Sequence, residues 1–430
     1  MPHASRLKPQ AVCLVIDRLP AHLLGAYGNA WIRTPALDSL AAESLLLEFA
    51  TIDSPRLDWL YRSFWRGLHA ARPKDDHDSS PDLPSLLRVQ GVRSLLVTDE
   101  PEVAELPLTA HFDEMVRVEG GGEPATAESV EATRLGRFFA AAAEAGESAP
   151  GPSLVWIHSQ GLAGPWDAPL ELRNFYADEE DPDPPTSTNV PNRMLAVDHD
   201  PDERLGLAQA AAGQVTALDE CLAGWLDACD AQLRGQDTLL IVMGARGFPL
   251  GEHLRVGPCD EALYEELVHV PLLMRVPQSL TPLRTPALAQ SADLFATLLD
   301  WFGCLEKRPE HPLDARLGSA NLLPFVSHPL QKIRDRALSI GPDGPATQWT
   351  LRTSAWMLRQ SQTAESAEQP RRELYVKPDD RFEINDVACR CGEIVEELAA
   401  SGVAMLHAAE SGATGEALAP LPSHLVEAFQ

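Results

Sequence analysis

The chain has 430 residues, with 35 Lys and Arg against 63 Asp and Glu, so its formal net charge is −28 before any histidine charges. A surface of that sign repels phosphate backbones nearly everywhere, which argues against nucleic acid as a partner except through a local basic pocket. At 44% hydrophobic and 23% charged residues, the composition is that of an ordinary globular protein, long enough for one large domain with an appendage or for two to three domains.

In chain order, Met1 to Gln10 leads into the apolar run Ala11 to Ile16, which is too short for the h-region of a signal peptide. No run approaches the roughly 20 apolar residues that a membrane helix needs, so the expected address is the cytoplasm. Ala11 to Ile16 instead reads as a buried strand, as do Ser94 to Thr98, Leu154 to Ile157 and Thr238 to Met243. Between the first two strands, Thr34 as N-cap and Pro35 at the first helical position open a helix. It places Leu37, Leu40, Ala41 and Ser44 at helical spacing and extends to Leu47. A second apolar stripe comprises Val215, Leu218, Leu222, Trp225, Leu226 and Cys229. Strands separated by helices need crossover connections, so the fold class is α/β, a mostly parallel central sheet flanked by helices.

Two segments break this pattern. The acidic, proline-rich stretch Ala177 to Pro185 lies in an expected solvated loop of about residues 171–202, and Ser361 to Arg372 reads as a polar loop. Thr350 to Leu358 and Glu373 to Val376 read as short strands, Glu393 to Ala400 as a closing helix, and the chain after Ser401 as a weakly patterned tail. The expected division is therefore a main α/β domain over 1–340 and a small α+β subdomain over 341–430. The 7 cysteines (Cys13, Cys221, Cys229, Cys259, Cys304, Cys389 and Cys391) contain no CxxC spacing and predict reduced thiols rather than a disulfide framework or zinc site.

The segment Val15 to Ser44 resembles the sulfatase family of the alkaline-phosphatase superfamily. It carries a strand ending in Asp17, the Tyr27 to Asn29 turn, the Thr34-Pro35 helix start and the Leu37 to Ala41 helix. Further blocks follow in family order: Thr238 to His253, Tyr264 to Pro277, Ala292 to Leu294 with Thr297 to Asp300, and Glu373 to Tyr375 with Asn385. Together they cover most of the chain between Ala11 and about Ala400. The resemblance implies the sulfatase fold. It also implies hydrolysis of sulfate esters with one divalent cation, usually calcium, and a formylglycine made from the Cys or Ser that begins a C/S-x-P-x-R motif.

The positions that should carry this chemistry are changed. A hard cation takes oxygen ligands, six to eight of them for calcium. By alignment with the family, the first ligand pair is Asp17 and Arg18, and the second is Ala245 and Arg246 ahead of Gly247. One carboxylate remains, beside two guanidinium groups that repel a metal. The nucleophile position is Leu57, which has no heteroatom to oxidise or attack with. Trp59 and Tyr61 replace the motif proline and arginine, with Arg62 one place beyond. A slip of one residue would bring Asp58 to the nucleophile position, and Ser54-Pro55-Arg56 resembles the motif without its spacing. The sulfate-holding Lys-x-His becomes Asp99 and Pro101, and a further histidine becomes Ala163. No cofactor is expected.

Two readings of the altered centre stay open. Arg18 and Arg246 could form an anion pocket at the carboxyl edge of the sheet, with Asp17, Arg62 and His158 around it. Alternatively, Asp17 and Arg246 form a structural salt bridge in the place of the metal. His158 and His253 read as structural histidines, the Cys389/Cys391 pair as incidental, and Asp178 to Asp183 as a solvated loop rather than a calcium site. Phe64 and Trp65 read as core, and Trp59 and Tyr61 as residues that plug the pocket. The function expected is that of a pseudoenzyme that binds a small anion or a protein partner. The competing function is a hydrolase of sulfate or phosphate esters that uses Ser54 or Asp58 with Arg18 and Arg246 as electrophiles.

Overall fold

The computed structural model describes residues 9–73, 80–121, 125–147, 151–230, 233, 238–277, 282–305, 318–362, 370–411 and 418–427. The chain forms two compact units, each discontinuous in sequence. The first comprises Met1–Leu46, Leu87–Pro258 and Pro271–Leu283, and the second Leu47–Leu86, Cys259–Val270 and Arg284–Gln430. These units do not follow the chain-order division at residue 340, because residues 47–86 and 259–270 pack with the C-terminal part of the chain.

In the first unit the strand Gln10–Ile16 is central. It pairs in parallel with Ser153–Ser159 on one side and Thr238–Gly244 on the other, so that Ile16 lies opposite both Ser159 and Gly244. Beyond Ser153–Ser159 follow Arg93–Thr98 and Glu114–Arg117, also parallel. Beyond Thr238–Gly244 comes the antiparallel strand Leu272–Arg275, which pairs with Leu45 and Leu46. The three central strands are buried along their whole length, which is why they read as unbroken apolar runs rather than as alternating ones. Leu14, Ile16, Val155 and Val242 share one core with Phe138 of the helix Arg134–Glu147 and with Leu218, Leu222 and Trp225 of the long helix Pro201–Ala228. The α/β class with a mostly parallel, helix-flanked sheet is the architecture observed.

The helix expected over Thr34 to Leu47 ends at Ala41, and Leu45–Thr51 is a strand. Ser44 Oγ donates to the Leu40 carbonyl and closes the helix, and Leu45 and Leu46 then satisfy their backbone groups in the sheet. Spacing over a single further turn could not tell these states apart. Nor does Thr34 cap this helix through its side chain; its Oγ1 accepts from Gly25 N instead. The cap comes from Asp219 on the long helix, whose carboxylate accepts from Ala36 N at 2.8 Å and Leu37 N at 2.9 Å.

The second unit contains a four-stranded antiparallel sheet in the order Ala337–Ile340, Gln348–Arg352, Trp356–Ser361, Arg371–Val376. The single strand expected over Thr350 to Leu358 is two strands folded about Thr353, whose Oγ1 accepts from Ala355 N and Trp356 N. The closing helix runs from Gly392 to Ser411 rather than ending at Ala400, since Met405, Ala408 and Ala409 still face the core with Trp349, Trp356 and Leu358. Gly402 is required here: a Cβ would lie 2.5 Å from the Trp349 ring. Residues 363–369 of the expected polar loop and 412–417 of the expected tail lie outside the described residues.

Because Asp219 supplies two hydrogen bonds to a helix start that has no cap of its own, Asp219→Ala should lower stability by about 2 kcal/mol in urea unfolding. The Thr34→Ala change should cost less than half as much in the same measurement.

Candidate functional site

Three parallel strands end level with one another in the first unit, and backbone hydrogen bonds tie their ends together. Asp17 N donates to Ser159 O at 2.9 Å, and Ala245 N to Ile16 O at 2.9 Å. The residues after these strand ends lie at the carboxyl edge of the sheet, where open α/β sheets place their ligands.

At that edge Arg246 grips Asp17 with two parallel bonds, Nε to Oδ1 at 2.9 Å and Nη2 to Oδ2 at 2.6 Å. Asp17 is fully buried and Arg246 nearly so. Burial alone would raise the Asp17 carboxyl; the charge and hydrogen bonds of Arg246, helped by Arg18, outweigh it and hold the group at about 2. Arg18 is buried as well and adopts the left-handed conformation at φ 58°, with its backbone N donating to Asp17 Oδ1 at 3.0 Å. His158, near the end of the adjoining strand, is pushed down to about 4, first by burial and then by Arg246. It is therefore neutral at pH 7.

The next turn completes the surroundings of Asp17. Gly161 has φ +51°, and a Cβ there would lie 2.2 Å from the Asp17 carbonyl oxygen, so only glycine fits. Leu162 N donates to that same oxygen at 3.1 Å. Asp99, which follows the strand Arg93–Thr98, accepts from Gln160 N at 2.7 Å and lies 3.6 Å from Arg134 Nε. Burial raises it to about 6. Asp99 is thus a buried carboxyl group held by one backbone donor near Arg134. Gly161 and Arg134 were not singled out from the sequence; a glycine two residues beyond a buried strand was the available signal for the first.

The donor set does not fit a divalent cation. Both Asp17 oxygens are taken by a guanidinium, and the remaining aligned positions are Arg18, Ala245 and Arg246. Among the described residues no group of three or more His, Cys, Asp or Glu could hold a metal ion.

The other predicted residues belong to the second unit. Leu57 opens the helix Leu57–Arg66 and is fully buried. Ser54 is also fully buried, and its Oγ accepts from Arg56 N at 3.4 Å. Asp58 accepts from Arg56 Nε and Nη2, each at 2.9 Å, while the Arg56 guanidinium lies 4.7 Å over the Trp59 ring. Arg62 donates to the carbonyls of His69, Ala70, Arg72 and Pro73, clamping the turn after its own helix. Tyr61, Phe64 and Trp65 are buried together, with Tyr61 edge-on to the other two at 5.4 and 4.5 Å, and Trp59 packs against the core of the unit. Cys389 and Cys391 are both free thiols.

His253, in the first unit, is half-buried. Of the acidic stretch Asp178 to Asp183, Asp181 accepts from Asp178 N and from Gln209 Nε2, which folds the run back on itself. The structure thus brings Asp17, Arg18, His158 and Arg246 together in the first unit, and Ser54, Leu57, Asp58 and Arg62 along one segment of the second.

Removing one partner of a buried ion pair leaves the other charge stranded. Arg246→Met should therefore lower stability by about 3–5 kcal/mol, and the double variant with Asp17→Asn should recover most of that loss in denaturant unfolding. His158 gives a pH signature. With its folded pKa below its unfolded one, the unfolded chain binds the extra proton first, so stability present above about pH 6.5 is lost as pH falls towards about 4. His158→Gln should flatten that part of the stability profile between pH 4 and 6.5, and the His158 ring resonances of the native protein should stay at neutral-imidazole positions until close to pH 4.

The family profile described as Sulfatase matches residues 9–304. No curated protein matches the sequence. Among solved structures the chain is similar to the phosphonate monoester hydrolase of Agrobacterium radiobacter, at 17% identity and a TM-score of 0.71 over 93% of this chain and 96% of that one. It is also similar to the phosphonate monoester hydrolase from Silicibacter pomeroyi (17%, TM-score 0.68, 93% and 95%) and to a 2-O GAG sulfatase (16%, TM-score 0.69, 94% and 92%). At these identities the likeness shows the shared fold, a large mostly parallel sheet flanked by helices with a separate small antiparallel sheet. The profile match over most of the chain decides the family: this protein belongs to the sulfatase family.

Proposed function

We propose that this sulfatase-family protein does not hydrolyse sulfate esters by the family route and acts instead through binding or assembly. The observation that carries the reading is the buried, two-bonded ion pair between Arg246 and Asp17. A cation at this point would have to displace a guanidinium already bonded to the one remaining carboxylate and overcome the repulsion of Arg18 beside it. Leu57 adds a second obstacle of a different kind, since a hydrocarbon side chain supplies no nucleophile. On this reading the chain's own residues hold a fixed charge pair at the strand ends, Arg246 on Asp17.

A hydrolase built on Ser54 or Asp58 would need arginines that converge on substrate. Arg246 is committed to Asp17, Asp58 to Arg56, and Arg62 to four backbone carbonyls. A small anion or another protein is the class of partner proposed. The cytoplasm is the compartment proposed, supported by seven cysteines of which none forms a disulfide. No helix among the described residues is long and apolar enough to cross a membrane.

The test is elemental analysis of the purified protein beside turnover of aryl sulfate, phosphate and phosphonate monoesters with added calcium, magnesium or manganese. The expected result is no stoichiometric metal and no turnover above buffer. A bound divalent ion with turnover abolished by Asp17→Ala would overturn the proposal.

A further inference from the structure

The turn that follows the strand Arg371–Val376 in the second unit is built around one buried lysine. Lys377 is 1% exposed. Its ammonium group donates to Glu265 Oε2, to the Asp380 carbonyl at 2.9 Å and to the Arg381 carbonyl at 3.1 Å. An ammonium has three hydrogens, and these three acceptors take them. Two of the three bonds fold the turn. The Asp380 carboxylate then closes it by accepting from Ile384 N at 3.0 Å and from Asn385 N at 2.9 Å. Phe382 and Ile384 ride on this turn at 42% and 66% exposure, so any loosening of it changes the apolar surface that the second unit presents.

Glu383 is a fourth claimant on Lys377. It is buried, at a left-handed backbone position with φ 56°. Its Oε1 lies 3.1 Å from Lys377 Nζ, and its Oε2 accepts from Glu265 N at 2.9 Å. Glu265 is held ionised, against its burial, by Arg352 foremost, at 3.3 Å, then by Lys377 and by His269 at 3.0 Å. The groups that face Glu383 are therefore Lys377 on its own segment, Glu265 and Glu266 on the helix Glu265–Val268, and Tyr375 on the preceding strand. Asp386, beyond the turn, is engaged with Leu374 N and Ala388 N. Burial, joined by the charges of Glu265 and Glu266, outweighs the attraction of Lys377 and pushes the Glu383 carboxyl up to about 7.

We propose that the turn over residues 378–385 is a pH-sensitive latch, held closed while Glu383 is protonated and loosened when that proton passes to water. A neutral Glu383 needs no hydrogen from Lys377, so the three ammonium hydrogens stay on Glu265 and the two turn carbonyls. An ionised Glu383 competes for one of them beside the fixed charge of Glu265, and a carbonyl that loses its donor releases the turn. With its folded pKa above its ordinary value of 4.5, Glu383 holds its proton more tightly in the closed turn. The stability it contributes is full below that value and is lost as pH rises to about 7. His158, in the first unit, acts with the opposite sign. The latch is independent of the reading of Asp17 and Arg246 and survives its failure.

The test is hydrogen exchange at individual backbone amides of the full-length protein, expressed as protection factors so that the intrinsic pH dependence of exchange cancels. The amides of Glu265, Ile384 and Asn385 report on the Glu383 and Asp380 carboxylates. Between about pH 5.5 and 7.5 they should lose at least about tenfold in protection relative to Leu358, in the middle of the antiparallel sheet. Glu383→Gln keeps an acceptor for Glu265 N and cannot ionise, so it should reduce that loss to under about threefold. A loss below about tenfold in the parent overturns the proposal, as does a loss above about threefold in the folded variant. Should the variant not fold, titration of the ¹³C-labelled Glu383 carboxyl carbon in the parent decides: a midpoint above about pH 6 supports the latch, and a lower one overturns it.

Discussion

One buried contact sets what the centre of this protein can be: the guanidinium of Arg246 on the carboxylate of Asp17. Both groups leave water on folding, and each loses several kcal/mol of hydration that only a well-aligned partner returns. Two short, parallel bonds supply the alignment, and the ends of two adjacent parallel strands supply the fixed separation. The surroundings fit this pair. Gly161 permits the close approach of the neighbouring turn, and His158 stays uncharged beside it. Arg18 takes a left-handed backbone conformation that its side chain does not favour. A metal site of the family kind would need charges of the opposite sign at the same places.

The same economy of cations recurs in the second unit. Arg334 makes two 2.6 Å bonds to the buried Asp293, whose oxygens also accept from Gln290 N and Ala320 N. Arg62 closes a turn by gathering carbonyls, and Lys377 joins Glu265 to Glu383. In a chain with 35 basic residues against 63 acidic ones, many of the buried cations are thus spent on internal acceptors.

Much of the fold was legible before any coordinates. The unbroken apolar runs at Ala11, Leu154 and Thr238 read as strands covered on both faces, and they are the middle of the sheet. The errors fell where local signals were ambiguous. Thr34 carries the sequence mark of a helix cap, yet Asp219, almost two hundred residues away in the chain, makes the cap. Helical spacing at Ser44 continued into residues that the sheet claimed. Thr350 to Leu358 read as one strand because a turn held by Thr353 contains neither Gly nor Pro.

The sequence by itself determined the family fold and which chemical groups follow its strands, Asp17 and Arg18 after the first and Ala245 and Arg246 after Thr238–Gly244. Those are facts of identity, and no folding changes them. The tertiary structure decided what the substituted groups do. Asp17 and Arg246 are separated by most of the first unit's chain, and their charges alone suited a ligand pocket as well as a salt bridge. Only the register of two parallel strands brings them within 2.6 Å, where pairing compensates for burial and an unmatched pocket would not. Proximity is the one property that a linear order does not carry.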